Sequence, residues 1–475
     1  MSANHRSGRD HTVIDILDGS EKSTNCIFRV PNVLWRQNPK AYTPDVVSIG
    51  PFHHYVEKRW KKEGQGGKKG NGEKYFQLME RVKTRYLNEI LAGTKIKNLE
   101  ELTAEVIKLS DQKNEGEFEQ RARDFYAEPL DHISSEEFIK MMIVDGCFLI
   151  QLFRKCDDPK LRALYDPVFN MDCMFHFLCH DILLLENQLP WFVIHILCDL
   201  THDIYRDEAS LSILIMKALS ILPSLKQSCS SYSKHLRRNN CYFDADYLHI
   251  LDLIRSSIVI PLRTIEERPH KATENSEKEE AVLDPDLYQI RTATALSNVG
   301  IKFKSVKKES IMDIRFNPLR KGILEIPPLN VGMSSETLFR NLIAIEQCYH
   351  GYSNEITSYA IFMDNLICSK EDMELLCKQK IIGNLMSDED GCKFFNNLYK
   401  DIPHNKFYYV ELCKQVNKFY RGKVRLIGED TRHKLKYLYD PWKVFYVIVG
   451  FLLLQIVPTI LQTAFTIKQQ YNPSP

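Results

Sequence analysis

The stretch Val444–Ile467, VFYVIVGFLLLQIVPTILQTAFTI, runs for 24 residues without one Asp, Glu, Lys or Arg. As a helix rising about 1.5 Å per residue it reaches about 36 Å, enough to cross a hydrocarbon core of about 30 Å. Such a segment must be buried in protein or placed in a bilayer, and buried core segments are usually shorter. The sequence therefore predicts one C-terminal transmembrane helix carrying a large head before it and a short tail, residues 468–475, after it. Gln455 and Gln462 are tolerable polar insertions, and Pro458 is expected to kink the helix. Trp442 and Tyr446 fall where an interfacial aromatic belt would place them, with Tyr471 beyond the far end.

Arg425, Arg432, Lys434, Lys436 and Lys443 precede this span closely, whereas beyond it stands only Lys468. Basic residues favour the cytoplasmic side, so the head is expected in the cytosol, with the plasma membrane as the first choice of membrane. The N-terminus lacks the apolar run of a secretory signal. Thirteen cysteines, an odd number without a spaced framework, suit reduced thiols better than disulfides. Asn472-Pro473-Ser474 has the glycosylation spacing but is disabled by its proline. A composition of 44% hydrophobic and 26% charged residues excludes a disordered chain. The net charge of +1 supplies no global field for nucleic acid.

Taken in order, residues 1–25 are polar and expected to be flexible. An N-terminal helical lobe is expected over 26–263, a charged linker over 264–284, and a C-terminal lobe over 285–425. Cys26–Pro31 is a short strand or an extended lead-in. Lys58–Lys74, rich in Gly and Lys, fits no phosphate-binding pattern and reads as a surface loop. Apolar spacing predicts a helix over Glu73–Leu91. Ser134-Ser135-Glu136-Glu137 is a capping box opening another helix. Met171–Leu200 reads as two helices broken at Leu185–Pro190, with Pro190 in the first turn of the second. Residues 229–244 read as a second linker. A helix through Arg291–Asn298 should end at Gly300, followed by short strands at Ile301–Phe303, Ile311–Phe316 and Ile323–Ile326. Helices are then expected over Ser335–Cys348, over Ile356–Leu366, and from a Ser369/Asp372 cap to Lys378. The fold class is mainly α: a multi-helix globular head with a small β element, plus the terminal membrane helix.

These pieces, in this order, resemble the plant family called domain of unknown function 247. The resemblance is carried by IFRVP at Ile27–Pro31, YTPDVVSIGPFHH at Tyr42–His54, and a helix bearing Met79, Glu80 and Lys83. VDGCFLIQLF at Val144–Phe153 and DILLLENQLPWF at Asp181–Phe192 follow. GIKFK at Gly300–Lys304, ILEIPPL at Ile323–Leu329, LFRNLIAIEQC at Leu338–Cys348 and TSYAIFMDNLI at Thr357–Ile367 complete the head. Tyr55 replaces the glycine common after the His pair, and Lys58–Gly72 reads as an insertion. The resemblance implies a largely helical, membrane-anchored plant protein without an established biochemical activity. Some relatives are implicated in pollen self-incompatibility in grasses, a role that does not transfer by resemblance.

Residues able to carry chemistry are few. His53 and His54 follow the Gly50-Pro51 turn. Neighbours on an extended segment point to opposite faces, so packing or capping is favoured over a metal or general-base role. Cys173, His176 and His180 share one helical face and could ligate zinc, but in an apolar segment a cysteine is usually a small hydrophobe. More telling are polar residues inside apolar runs: Asp145 beside Gly146; Asp181, Glu186, Asn187 and Gln188 before Pro190; Asn341, Glu346 and Gln347 near the end of NLIAI. Burying them unpartnered would cost several kcal/mol. Three readings stand: a shared buried network that fixes how the helices meet, a pair of catalytic carboxylates, or simple helix caps, as Asn187 could be ahead of Pro190; a structural role is favoured over catalysis. No nucleophile or zinc motif accompanies them, and no cofactor is expected. The function expected is a membrane-anchored protein-recognition or signalling module; the alternative is a membrane-bound, hydrolase-like enzyme using buried carboxylates.

Overall fold

A helix that is apolar on every side has to sit inside, and Ser135–Asp157 does. Nearly every residue from Met141 to Lys155 is buried. The computed structural model describes residues 25–54, 71–112, 117–171, 173–201, 210–239, 247–266, 289–319, 322–332, 334–400, 407–438 and 441–471. All but the last residue of the 1–25 segment expected to be flexible, Tyr55, most of the Gly/Lys-rich loop and all but the start of the charged linker lie outside these residues.

The elements that position the rest are helices α1 (Asn71–Gly93), α2 (Ser135–Asp157), α3 (Met174–Ile182), α4 (Trp191–Leu200), α5 (Ile250–Glu266), α6 (Ser335–Cys348), α7 (Glu355–Leu366), α8 (Val410–Leu438) and α9 (Pro441–Tyr471). Helices α1 and α4 pack along α2. Gly146 permits the second contact, because a Cβ there would meet Leu197 Cδ1 at 2.4 Å. Two charges inside this core are paired: Lys155 reaches Asp166 and Glu89, each at 2.7 Å, and stacks over Tyr86. A single hydrophobic cluster extends from Cys26 to Val416.

The β element comprises β1 (Lys302–Ser305), β2 (Arg315–Asn317), β3 (Ile323–Ile326), β4 (Leu329–Val331) and β5 (Ile382–Asn384). Strand β3 pairs parallel with β1 and antiparallel with β2, placing Phe303, Leu324 and Phe316 in one row. Strands β4 and β5 form a separate parallel pair, absent from the sequence reading because three residues are too few to show a period.

Most predicted elements are present, several with their caps. Ser134 accepts the Glu137 amide, Ser369 and Asp372 form a reciprocal capping box, and Gly300 adopts φ +93° just past a helix end. Two expectations fail. The expected linker at 229–244 begins as a helix, Lys226–Asn239. Its serines and arginines hide Leu225, Cys229 and Tyr232, which are buried at helical spacing. Ile311 and Met312, expected in a strand, instead sit buried in a turn where Ser310 accepts the Met312 amide. The span expected at Val444–Ile467 lies in α9. Among the described residues no helix is long and apolar enough to cross a membrane; side chains of α9 are described without a break only from Ile448 to Ala464.

Arg255 on α5 joins the segments before and after the charged linker. Its Nη2 donates to Glu346 Oε1 at 3.0 Å and to Glu355 Oε2 at 2.7 Å. Glu346 also caps the next helix: it accepts the amides of Ile356 (3.0 Å) and Thr357 (2.8 Å) and the Thr357 hydroxyl (2.8 Å). The ordinary N-cap, Asn354, makes no such bond. Burial pushes the Glu346 carboxyl up to about 7 against the pull of Arg255 and the α7 donors.

That shift fixes a pH dependence. Glu346 binds its proton more tightly in the folded protein than in the unfolded chain, where it titrates near 4.5. The resulting stability is full below that value and is lost as pH rises through about 7. Melting temperatures measured across this window are expected to fall for the native chain and to lose that component in Glu346→Gln.

Candidate functional site

Asp45–Gly50 is buried over most of its length yet joins no sheet. Buried amides outside helix and sheet need side-chain or water acceptors. Here side chains supply them. Asp181 Oδ1 accepts the Asp45 amide, and Oδ2 accepts those of Val46 and Val47, each at 2.8 Å. Asn187 Oδ1 accepts from Ile49, while its Nδ2 donates to the carbonyls of Val47 (3.2 Å) and Asp181 (3.0 Å). Asp145 Oδ2 accepts the Gly50 amide at 2.9 Å. Lys83 closes the cage, donating to the Ser48 carbonyl and pairing with Asp145 Oδ1 and Glu80 Oε1, each at 2.7 Å. Burial pulls the Lys83 ammonium down, but these two carboxylates more than offset it and hold its pKa above the usual lysine range.

The turn at Gly50 requires glycine twice over. Its φ is +70°, and a Cβ would stand 2.8 Å from the Gln188 carbonyl oxygen. The junction between α3 and α4 is held from within: Gln188 Nε2 donates to the carbonyls of Ile182 and Leu184, each at 2.8 Å, and its Oε1 accepts the Leu251 amide at 3.1 Å. Asn341 of α6 clamps the same junction to the start of the chain. It accepts from Leu185 (2.9 Å) and donates to the carbonyls of Ala41 and Thr337, each at 2.8 Å.

Glu186 lies at the edge of this cage. Oε1 accepts the Val30 amide at 2.8 Å, and Oε2 takes Arg29 Nη1 at 3.1 Å with His53 Nε2 3.5 Å away. Arg29 also pairs with Glu128 and lies over the Phe52 ring. Burial, with Arg29 beside it, lowers His53 to about 4, so its imidazole is neutral at physiological pH. His54 meets Glu137 at 3.0 Å. The two histidines thus face different carboxylates.

The structure brings Gly50, Pro51, Asp145, Asp181, Glu186, Asn187, Gln188 and Asn341 into one assembly. Glu346 stands in the separate Arg255 cluster, and Gln347, half-buried beside it, reaches Thr357 Oγ1 at 3.4 Å. Pro190 is the N-cap of α4, not a first-turn residue, and Asn187 reads the Asp45–Gly50 segment instead of capping that helix. Of the face Cys173–His176–His180, the first two are exposed while His180 turns to Asp181 at 2.9 Å, with Asp45 at 3.7 Å. Burial works against the His180 cation, but these carboxylates raise its pKa above the ordinary value. The ligand atoms of Asp45, His180 and Asp181 lie within 4.8 Å of one another; because Asp181 already accepts three amides, an ion pair accounts for the grouping.

Sequence reasoning missed the cations. Lys83 lies on the buried stripe of α1 with Met79, Val82 and Tyr86, and Arg255 interrupts ILDLIRSSIVI as Asp145 interrupts its own run. A charge inside an apolar stripe was the available signal in each case.

Lys83→Met is expected to destabilise the head by about 3–5 kcal/mol, because it leaves Asp145 buried without its partner. Adding Asp145→Asn should restore part of the loss, since the amide oxygen still accepts from Gly50. Thermal melts of the single and double variants check this.

Comparisons with known proteins give the chain's family. The family model DUF247, described as "Plant protein of unknown function", matches residues 27–456. The UPF0481 protein At3g47200 of Arabidopsis thaliana is 28% identical over 489 residues, covering 99% of this chain and 92% of that protein. The putative UPF0481 protein At3g02645 of the same plant is 23% identical over 515 residues, covering 92% and 89%. No solved structure matches. Matched over nearly its whole length, the chain belongs to the DUF247 family of plant proteins of unknown function.

Proposed function

We propose that the chain is a protein-recognition module held at a membrane by α9, with its head on the cytosolic side and the plasma membrane as the first membrane to test. The observation that carries the anchoring is the exposure of α9. Phe451 is 66% and Leu454 74% exposed, and Leu452, Leu453, Ile460 and Leu461 are each half exposed or more. Its hydroxyls are already satisfied: Thr459, Thr463 and Thr466 each donate to the carbonyl four residues back. Such a surface is costly in water and comfortable in lipid. The five basic residues ahead of the run and the single one behind it favour the cytosolic head.

The occupation of the buried carboxylates favours recognition over catalysis. Asp181, Asp145, Glu186 and Glu346 all spend lone pairs on backbone amides, and His53 is held neutral. An acid–base pair would have to break the fold's own hydrogen bonds to act. A contact surface is supported by Leu164 and Tyr165, adjacent and 80% and 79% exposed.

In flotation on phosphatidylcholine vesicles, the full chain should rise with lipid, and a chain ending at Lys443 should stay behind with an unchanged melting temperature. In cells, proximity labelling from the full chain should mark neighbours that the double variant Leu164→Asp/Tyr165→Asp loses while remaining folded and anchored. Lipid flotation of the shortened chain, or identical neighbours for the double variant, contradicts the corresponding half of the reading.

A further inference from the structure

Helix α8 starts in the head and leaves it. Cys413 and Val416 are fully buried, and Phe419 packs edge-on against Phe316 with ring centroids 5.5 Å apart. The stripe continues at steps of three and four through Tyr420, Val424 and Ile427, but Val424 is 44% and Ile427 50% exposed. A Cβ on Gly422 would touch nothing within 4 Å. The helix nevertheless continues to Leu438, and the same spacing recurs in the sequence at Leu435 and Leu438.

The charges are arranged about this stripe. At 3.6 residues per turn, the positions of Arg421, Arg425, Arg432 and Lys436 fall along one side of it, those of Lys423, Asp430 and Lys434 along the other, and that of Glu429 on the opposite face. An apolar stripe edged mainly by cations is the pattern of a helix lying in a bilayer interface. Pro441, which opens α9, stands three positions after Leu438.

We infer that the distal half of α8, from Arg421 to Leu438, lies on the membrane surface and binds anionic phospholipid headgroups. The inference rests on the anchoring proposed above and names the lipid class that anchoring selects. Charge complementarity and continuity with α9 choose the bilayer as the occupant. Each Lys or Arg near an anionic surface strengthens partitioning about fivefold, so the selectivity is set by the number of cations. The device would orient the head against the bilayer, where a lone span leaves it free to swing.

The test uses the full chain reconstituted in vesicles with brominated acyl chains, which quench indoles that enter the bilayer. Trp442 of the parent chain reports α9, and Ile427→Trp reports α8. In vesicles of two parts phosphatidylcholine to one part phosphatidylserine, the added indole is expected to be quenched. In phosphatidylcholine alone it is not, and Arg421→Glu/Arg425→Glu releases it while Trp442 stays quenched. An added indole unquenched in both lipids, with Trp442 quenched, overturns the inference and leaves anchoring intact. Quenching equal in both lipids overturns the headgroup selectivity. Cross-linked dimers through Lys423, with the added indole unquenched, assign the stripe to a second copy instead. If Trp442 itself is unquenched and the chain fails to float, the anchoring has failed and the inference falls with it.

Discussion

Six residues of chain, Asp45–Gly50, cross the interior without a sheet to receive their amides, and the Asp181 carboxylate takes three of them. The rest of the head is arranged around that constraint. A buried amide without an acceptor costs about 1–3 kcal/mol, and several in a row would prevent the segment from being inside at all. Asp181, Asn187 and Asp145 therefore act as a substitute for a neighbouring strand. They come from the C-terminal end of α3, from the junction that follows it, and from the middle of α2, so seating this segment also sets how those elements meet.

A similar solution recurs at the Arg255 cluster. There Glu346, from the end of α6, caps α7 and meets a guanidinium from α5. In both places a carboxylate receives backbone amides while a buried cation sits beside it. Gln188 links the two regions, because the amide it accepts belongs to Leu251 of the helix that carries Arg255. These groups make poor catalysts for the reason they make good fasteners: their lone pairs are committed to the backbone.

Much of the fold was legible. Helix α6 was placed at both ends and α2 from its Ser134 cap, because local and tertiary preferences agree there. Strands β4 and β5 were not, since three-residue strands leave no period, and residues 229–244 were read as a linker because composition outweighed the buried Cys229 and Tyr232. The polar residues of the site were visible as interruptions of apolar runs, and a structural role was favoured over catalysis, with a shared network as one of the readings. Its partners were not visible. Nothing local says that Asp181 reaches residues more than 130 positions earlier in the chain, and Lys83 and Arg255 went unread as its cationic counterparts, though each interrupts an apolar stripe in the same way.

Amide hydrogen exchange of the folded chain tests the central claim most directly. If side chains hold Asp45–Gly50 as described, the amides of Val46, Val47, Ile49 and Gly50 should exchange as slowly as those in the middle of α2, since opening them requires dismantling the same core. Exchange of these amides at the rate of an exposed loop, with α2 still protected, would contradict the account.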